Sequence, residues 1–242
     1  MPSFLDLHCH TGASFDSLSR PGAVVSAAAA RGLTHLAITD HERIDGALAA
    51  QALAPAGLTV IVGEEIRTRG GDMIGLYLRE PIPPGLPAVD TARRIREQGG
   101  LVGLPHPFAR FRFSGASGGA GTDLDELLSL IDYVEVHNAR AIGGGNARAA
   151  EMAAARRLAG VAVSDAHTVM EVGVAYTIIE PPIDGADELR AALTAPRLVV
   201  GRGSYLVRAG MPFAKLVQRV RGNRRVRPAG ARDVQPQPDA RR

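Results

Sequence analysis

Two histidines flank the single cysteine of the chain in the stretch DLHCHTGASFD, residues 6–16, and a carboxylate, Asp16, follows the second histidine by six positions. Side chains alternate between the two faces of a strand, so His8 and His10 point to one side and Cys9 to the other. Two imidazoles on one face can bind the same cation. Cys9 is expected to pack as a small apolar side chain rather than to ligate as a thiolate.

Most of the other histidines also stand at the end of a predicted strand. Seven histidines occur in the chain, and those at or just past a short apolar run are His8, His10, His41, His106, His137 and His167. Carboxylates occupy similar positions, namely Asp6, Asp16, Asp40, Glu64, Glu65, Glu135 and Asp165. Parallel α/β folds hold their ligands at the carboxyl ends of strands, so we expect these side chains to meet in space.

Imidazoles and carboxylates without thiolates suit manganese, iron or zinc, and magnesium is also compatible with them. So many ligands predict a pair or trio of divalent ions, with a carboxylate bridging two of them. A single strand-end histidine is more often a hydrogen-bonded structural residue, so only the whole set indicates metal binding. Asp6 and Asp40 either ligate or orient an imidazole. Of Glu64 and Glu65 only one should face the site, and His35, inside its strand, is expected to pack or to make a surface hydrogen bond.

The elements that must position these residues alternate between strand and helix. Strands are predicted at residues 4–10, 33–39, 58–63, 73–78, 100–105, 132–137, 160–164 and 174–180, and helices at 23–32, 46–54, 88–98, 123–131, 146–159 and 186–194. This rhythm favours parallel βαβ units in a barrel or a doubly wound sheet, between which periodicity does not choose. Residues 112–122 are predicted to form a glycine-rich mobile loop.

Composition narrows the class of protein. The chain of 242 residues is 45% hydrophobic, has no apolar run of 18 residues and begins without a charged segment followed by an apolar one. We therefore expect one α/β domain with a short appendage, no membrane partner and, with one cysteine, a cytoplasmic location. Residues 207–242 hold ten basic against two acidic side chains, a net charge of +8, which leaves −5 for the rest. From about residue 222 this extension is predicted to be disordered.

With these residues assembled, the chain resembles the PHP family, the metal-dependent phosphoesterases named for polymerase and histidinol phosphatase domains. The resemblance rests on DLHCHTGASFD, ITDHERIDG, VGEEI, LPHPFAR, VEVHNAR and VSDAHT in that order, and it spans roughly residues 4–206. It implies a distorted seven-stranded (β/α) barrel over residues 1–206 with two or three metals at the carboxyl ends of its strands. Residues 207–242 would then be a basic extension that begins with a helix.

The resemblance also implies a set of ligands. His8 and His10 would hold a first metal with Asp165, and Glu65 would bridge it to a second metal held by His106 and His137. A third metal would be held by Asp16, His41 and His167. Asp16 replaces the histidine of fully trinuclear members, and it lies one residue further from His10 than in the related branch that has aspartate there. Occupancy of the third site therefore stays open, as does the choice between His137 and Glu135, which alternation places on one face.

The implied reaction is hydrolysis of a phosphate ester by a metal-bound hydroxide. Glu65 would space the ions, while Asp16, His41 and His167 would handle protons or a metal near the leaving group. Arg110 and Arg140 follow ligand-bearing strands and either contact the phosphate or are ordinary surface arginines. The branch with aspartate is similar to members that act on nucleoside monophosphates or short oligonucleotides, so we expect a small phosphorylated substrate.

Two other readings remain open at this point. An amidohydrolase-like enzyme could use similar ligands on a similar barrel to cleave a carbon–nitrogen bond. A nucleic-acid-binding protein with a degenerate site would use the basic segment RVRGNRRVR, residues 219–227, for weak contacts with phosphates. No aromatic residue interleaves that segment, which argues against stacking on bases. The sequence shows no interface pattern, so it does not indicate an oligomeric state.

Overall fold

The computed structural model describes residues 1–108, 124–180, 182–204, 207 and 209–226. The predicted glycine-rich loop at 112–122 and the part of the basic extension beyond residue 226 lie outside the described residues. The strands are β1 (Ser3–Asp6), β2 (His35–Ile38), β3 (Thr59–Arg67), β4 (Asp72–Leu76), β5 (Leu101–Leu104), β6 (Tyr133–Asn138), β7 (Ala159–Val163), β8 (Tyr176–Ile179) and β9 (Arg197–Val199). The helices are α1 (Pro21–Ala30), α2 (Asp45–Ala52), α3 (Ala88–Glu97), α4 (Leu124–Leu130), α5 (Gly145–Arg156), α6 (Ala186–Ala192) and α7 (Met211–Val220).

The described strands form one sheet in the order β7-β6-β5-β4-β3-β2-β1-β8-β9. The runs β1-β2-β3 and β5-β6-β7 are parallel, as the alternation of strands and helices predicts. The expectation of parallel units is wrong at β4, which is antiparallel to both neighbours, and at β8, which is antiparallel to β1. Only four residues, 68–71, connect β3 to β4, and a parallel crossover needs a dozen or more.

Contacts between the first and the seventh strand segments curl the sheet into a nearly closed barrel. Cys9 and Ala166 form an isolated parallel bridge, and the backbone N–H of His10 donates to the carbonyl of Ala166 at 2.8 Å. The backbone N–H of Ser164 donates to Oδ1 of Asp6 at 3.0 Å. The predicted distorted (β/α) barrel is therefore confirmed, and its distortion arises from the two antiparallel strands. Closure brings the carboxyl ends of distant strands to one mouth.

Local signals explain where the helices lie. Pro21 occupies the first helical position of α1, where its missing N–H costs nothing, and Gly32 follows the helix in the left-handed region with φ of +75°. The alanine-rich face of α1 allows close packing on the sheet. Cys9 is fully buried in the apolar cluster that also contains Val24 and Ala28 of α1, so its predicted packing role is confirmed. In the part of the chain that the structure describes, no helix has the length and hydropathy needed to cross a bilayer.

Candidate metal centre

The first two predicted ligands follow strand β1. His8 and His10 are buried, and their Nε2 atoms lie 3.0 Å apart. Two imidazole nitrogens that face each other at this distance cannot both carry a proton, so at least one presents a lone pair. The two imidazoles are therefore placed to ligate one cation, on the side of the strand opposite to Cys9.

Three groups of potential ligands overlap beside these histidines. Within each group, one ligand atom from every member lies within 4.8 Å of the others. The groups are His8, His10 and Asp165; His8, Glu65 and His106; and His10, Asp16, His41 and His167. The structure thus brings together every predicted ligand except His137. His8 and His10 each belong to two groups, which places the three groups side by side.

Glu65 lies where the groups meet. Its Oε1 is 3.3 Å from Nε2 of His106, and its Oε2 is 3.2 Å from Nδ1 of His41. Glu64, its neighbour on β3, points to the other side of the strand, where its Oε2 accepts from the backbone N–H of Ile82 at 2.8 Å. The prediction that only one of the two glutamates faces the site is confirmed, and Glu65 has the geometry of a bridging carboxylate.

Asp16 joins the site from the loop between β1 and α1. Its Oδ2 lies 3.5 Å from Nε2 of His41 and 3.4 Å from Nε2 of His167. The loop is fixed by hydrogen bonds, because Ser14 Oγ donates to Oδ1 of Asp16 at 2.9 Å and Ser17 Oγ donates to the carbonyl of His167 at 2.8 Å. The carboxylate therefore reaches both imidazoles in spite of the additional residue before it in the sequence.

Buried opposite charges control the pKa values in the site. Burial alone would lower the pKa of His41, but the negative charges of Glu65 and Asp16 outweigh it and raise this pKa to about 9. Burial and the adjacent His167 lower the pKa of His10 to about 3, so this ring is neutral at pH 7 and keeps a free lone pair. Burial would raise the pKa of Glu65, yet the imidazole charges hold it well below its usual range.

The spacing of these atoms fits divalent cations better than direct hydrogen bonds. Nε2 of His8 lies 3.5 Å from Oε2 of Glu65 and 3.6 Å from Oδ1 of Asp165, and Nε2 of His10 lies 3.5 Å from the same Asp165 oxygen. These distances are long for N–H···O bonds. Ligand atoms placed about 2.1 Å from one tetrahedral ion lie roughly 3.4 Å from each other. The residues present therefore fit the predicted metals.

A carboxylate behind the ligands orients His8. Oε1 of Glu135 lies 2.6 Å from Nδ1 of His8, and Oε2 accepts from the backbone N–H of His106 and from Nδ2 of Asn138, each at 2.9 Å. A proton held at Nδ1 leaves Nε2 free to face a cation. Burial would lower the pKa of His8, but without a bound cation the charges of Glu135 and Asp165 raise it well above its ordinary value, so a cation at Nε2 would displace a proton.

The sequence leaves open the role of Asp6 and Asp40. Both carboxylates accept hydrogen bonds from backbone N–H groups, and neither belongs to the ligand groups found among the described residues. Asp6 accepts from the backbone N–H groups of Ser164 at 3.0 Å and Gly173 at 2.9 Å. Asp40 accepts from the backbone N–H of Thr11 at 2.6 Å and from its hydroxyl at 2.7 Å. Burial raises the pKa of each carboxyl to about 6. Both carboxyls tether the loops that carry ligands.

His137 does not lie in the site, which corrects its assignment to the second metal. Its Nε2 lies 2.7 Å from the carbonyl oxygen of Gly201, and its Nδ1 lies 3.3 Å from Nδ2 of Asn146. Simple alternation would put His137 on the face of Glu135. A β-bulge between these two residues shifts the register against β7 and turns His137 away, so Glu135 alone faces the ligands.

Arg140 lies at the mouth of the site, while Arg110 lies outside the described residues. Nη1 of Arg140 donates to Oε1 of Glu171 at 2.7 Å. Arg140 lines a cavity of about 190 Å³, and the other residues around this cavity are Asp16, His41, Glu65, His106, Asn138, Ala141, Asp165, His167 and Met211. His35 is buried elsewhere, with Nε2 3.2 Å from the carbonyl of Ile183, which confirms its structural role.

The sequence offered little sign of the polar residues that support the ligands. Asn138 bridges Glu135 and Asp165 through Nδ2, at 2.9 and 3.2 Å, and its only signal was its place after a strand. Glu171 accepts from the backbone N–H of His167 at 3.2 Å and also pairs with Arg140. Because these contacts depend on loop conformation, no local pattern reveals them.

Three of the five non-glycine residues with positive φ in the described part of the chain lie beside the site. His106, Asp165 and Glu42 are non-glycine residues with positive φ, at +27°, +51° and +54°. Such conformations cost energy and persist where the surroundings hold them, as the carboxylate of Glu135 holds the backbone N–H of His106. Strain of this kind is typical of functional sites.

Comparison with known proteins agrees with this geometry. Residues 6–102 match the PHP domain family, and residues 137–198 match the PHP-associated family. An uncharacterised protein of Methanocaldococcus jannaschii is 39% identical over 145 residues, which cover 55% of this chain and 81% of that protein. The 5'-3' exoribonuclease of Haemophilus influenzae is 35% identical over 98 residues, 38% of this chain and 35% of that enzyme.

A solved structure shares the fold. It is a two-domain protein of Bacteroides vulgatus that contains a predicted PHP-like metal-dependent phosphoesterase, with a TM-score of 0.66 and 18% identity, and the match covers 83% of this chain and 65% of that one. The PHP match includes His8 after β1 and Glu65 on β3, and the PHP-associated match includes Asp165 after β7. With its barrel and its converging imidazoles and carboxylates, this chain belongs to the PHP family of metal-dependent hydrolases.

Proposed function

We propose that the protein is a phosphoesterase that uses two or three divalent metal ions to hydrolyse a nucleoside monophosphate or a short oligonucleotide. The observation that carries this proposal is the convergence of the three ligand groups in one cavity. Bound divalent ions supply a water-derived nucleophile at neutral pH and positive charge for phosphate oxygens. Manganese, iron or zinc suits these imidazole and carboxylate ligands best, and magnesium remains compatible.

In this proposal Glu65 would hold two neighbouring ions, because its two oxygens face different ligand groups. Asp16, His41 and His167, together with His10, form the third ligand group. Their side chains would bind a third ion or hold a proton close to the leaving oxygen. The distances of 3.5 and 3.4 Å from Oδ2 of Asp16 to the two imidazoles are those expected between ligands of one ion and support this shared role.

Arg140 is proposed to contact the phosphate. Its guanidinium lines the cavity with the ligands, Nη1 donates to Glu171 and Nη2 contacts Sδ of Met211, so the remaining N–H groups are those proposed to meet a phosphate. Replacement of Arg140 by alanine is expected to raise KM for a phosphorylated substrate more than it lowers kcat. An unchanged KM would remove Arg140 from the substrate site.

The likeness to an exoribonuclease supports a nucleotide substrate over other phosphate esters, although that likeness covers only 38% of this chain. A degenerate site is disfavoured, because each ligand group has three or four members and all of them except His106 are buried. An amidohydrolase-like activity shares the same ligands, so it has to be separated by experiment.

The test is a substrate panel with and without metal. Purified protein would be assayed with manganese on p-nitrophenyl phosphate, bis-p-nitrophenyl phosphate, AMP, a short RNA and an N-acyl amide, before and after chelation. We expect turnover of phosphate esters that disappears on chelation and returns with manganese. Asp165→Asn should lower turnover at least 100-fold, whereas His35→Gln, a control histidine outside the site, should stay within twofold. Turnover of the amide alone would refute the proposal.

A further inference from the structure

The C-terminal segment, here defined as residues 211–226, lies against the loop that carries Asp16. Gln218 is 2% exposed, and its Nε2 lies 2.7, 2.9 and 2.6 Å from the carbonyl oxygens of Gly12, Ser14 and Ser17. A buried carboxamide that meets three carbonyls of one loop is a specific anchor. Residues 211–226 of the basic extension are therefore anchored on the loop that carries Asp16.

A second anchor places the end of this segment near His41. Nε of Arg225 lies 3.0 Å from Oε1 of Glu42, and its Nη2 lies 2.6 Å from Oδ1 of Asp72. Arg225 is thus neutralised by two buried carboxylates and has a structural task. Asn223 adds a hydrogen bond of 2.8 Å from Nδ2 to the carbonyl of Ala13.

Between the C-terminal segment and the Asp16 loop lies a cleft of about 750 Å³. Its walls are formed by Phe15, Lys215, Arg219, Asn223, Arg224 and Arg225. Within the described residues, Lys215, Arg219 and Arg224 form no ion pair, so their charges face the cleft or solvent. The volume is within the range that small-molecule sites occupy.

Phe15 joins this cleft to the metal centre. Its ring centroid is 4.8 Å from that of His41, and two cationic groups also lie near the ring, Nζ of Lys215 at 5.4 Å and Cζ of Arg225 at 5.7 Å from the centroid. The basic segment has no aromatic residue of its own, but the fold supplies one from a loop 200 positions earlier in the chain. Proteins that bind single-stranded nucleic acid combine cationic side chains, which contact the phosphates, with aromatic rings, on which the bases stack.

We propose that this cleft binds the nucleotide next to the scissile phosphate, with Lys215, Arg219 and Arg224 on its backbone phosphate and Phe15 stacked on its base. The inference rests on the proposed function and deepens it, since it selects an oligonucleotide over a mononucleotide as the preferred substrate. A mononucleotide would fill the metal centre and leave the cleft unused.

The test measures binding without turnover. Anisotropy of a fluorescein-labelled RNA pentanucleotide would be followed in EDTA for the full chain, for Arg219→Gln/Arg224→Gln, and for Arg94→Gln/Arg197→Gln as a control that removes two exposed arginines elsewhere. We expect Kd to rise at least tenfold in the cleft variant and less than twofold in the control. The slope of log Kd against log salt should fall by roughly 1.4 in the cleft variant only, because two phosphate contacts are lost.

Phe15→Leu separates stacking from charge, because it should weaken pentanucleotide binding while the salt slope stays unchanged. Equal Kd values for the cleft variant and the control would overturn the inference, whatever the protein hydrolyses. Phosphoester turnover by the full chain with equal Kd values would leave the proposed function standing and the cleft without its assigned role.

One more arm is needed because Phe213, Leu216 and Val220 are exposed on the same helix. If the full chain binds phosphatidylglycerol vesicles but not the pentanucleotide, and the cleft variant loses vesicle binding, the inference is overturned in favour of a lipid surface.

Discussion

Replacing Glu135 by glutamine is expected to weaken metal binding while the protein stays folded. The carboxylate accepts three hydrogen bonds, from Nδ1 of His8, the backbone N–H of His106 and the side chain of Asn138. A glutamine in the same place has one accepting oxygen and one NH₂ group. In either orientation its NH₂ faces at least one of these donors, so at least one hydrogen bond is lost together with the negative charge that orients His8.

The magnitude follows from the kind of bond that is lost. Hydrogen bonds to charged groups contribute about 1.5 to 3 kcal/mol, which corresponds to roughly 10- to 150-fold in metal affinity. The range agrees with the loss of about 10- to 100-fold that is usual when the partner of a metal-binding histidine is removed. The affinity would be measured by competition of the metal-free protein with a fluorescent chelator for manganese or zinc, and circular dichroism would show that the variant is folded.

Glu64→Gln is the matched control. Glu64 is also a buried glutamate on a neighbouring part of the sheet, but it accepts from the backbone N–H of Ile82 on the face away from the ligands. Burial raises its pKa to about 8, so this carboxyl is mostly neutral at pH 7 and a glutamine resembles it closely. A folded Glu135→Gln protein with wild-type metal affinity, or an equal loss in the Glu64 variant, would refute the assigned role of Glu135.

Three further predictions concern the third ligand group, pH and packing. Asp16→Asn should lose one equivalent of manganese in elemental analysis while two equivalents remain, and equal content would show that Asp16 holds no ion. Burial lowers the pKa of His35, so as pH falls the unfolded chain binds a proton at this residue before the folded chain does. The free energy of unfolding should therefore decrease as pH falls below the ordinary histidine pKa of 6.5. Urea unfolding in EDTA at pH 7.5 and 5.0 should show a smaller decrease in the free energy of unfolding for His35→Gln than for the wild type. An identical decrease would contradict this role of His35. The buried hydroxyl of Tyr133 has no hydrogen-bond partner within the described residues, so Tyr133→Phe should raise the free energy of unfolding by about 1 kcal/mol, whereas a clear fall would indicate a bonded hydroxyl.

Much of the site could be predicted because, in parallel α/β folds, functional side chains lie at the carboxyl ends of the strands. Short apolar runs defined most strands, and the residues that follow them, such as His8, Glu65 and Asp165, were expected at one mouth of a parallel fold. Alternation also separated Glu65 from Glu64 and Cys9 from its flanking histidines. These inferences depend on local periodicity, which the sequence encodes directly.

Other features were decided only by tertiary structure. The β-bulge that turns His137 away and leaves Glu135 facing the site arises from the pairing of β6 with β7. A one-residue change of register reverses the face of every later side chain. The contacts of Gln218 with Gly12, Ser14 and Ser17 join residues more than 200 positions apart. Sequence alone determined which side chains were available for chemistry, because periodicity is local. The closed barrel determined which of them meet, because long-range packing selects one register and one loop conformation among many that the local sequence allows.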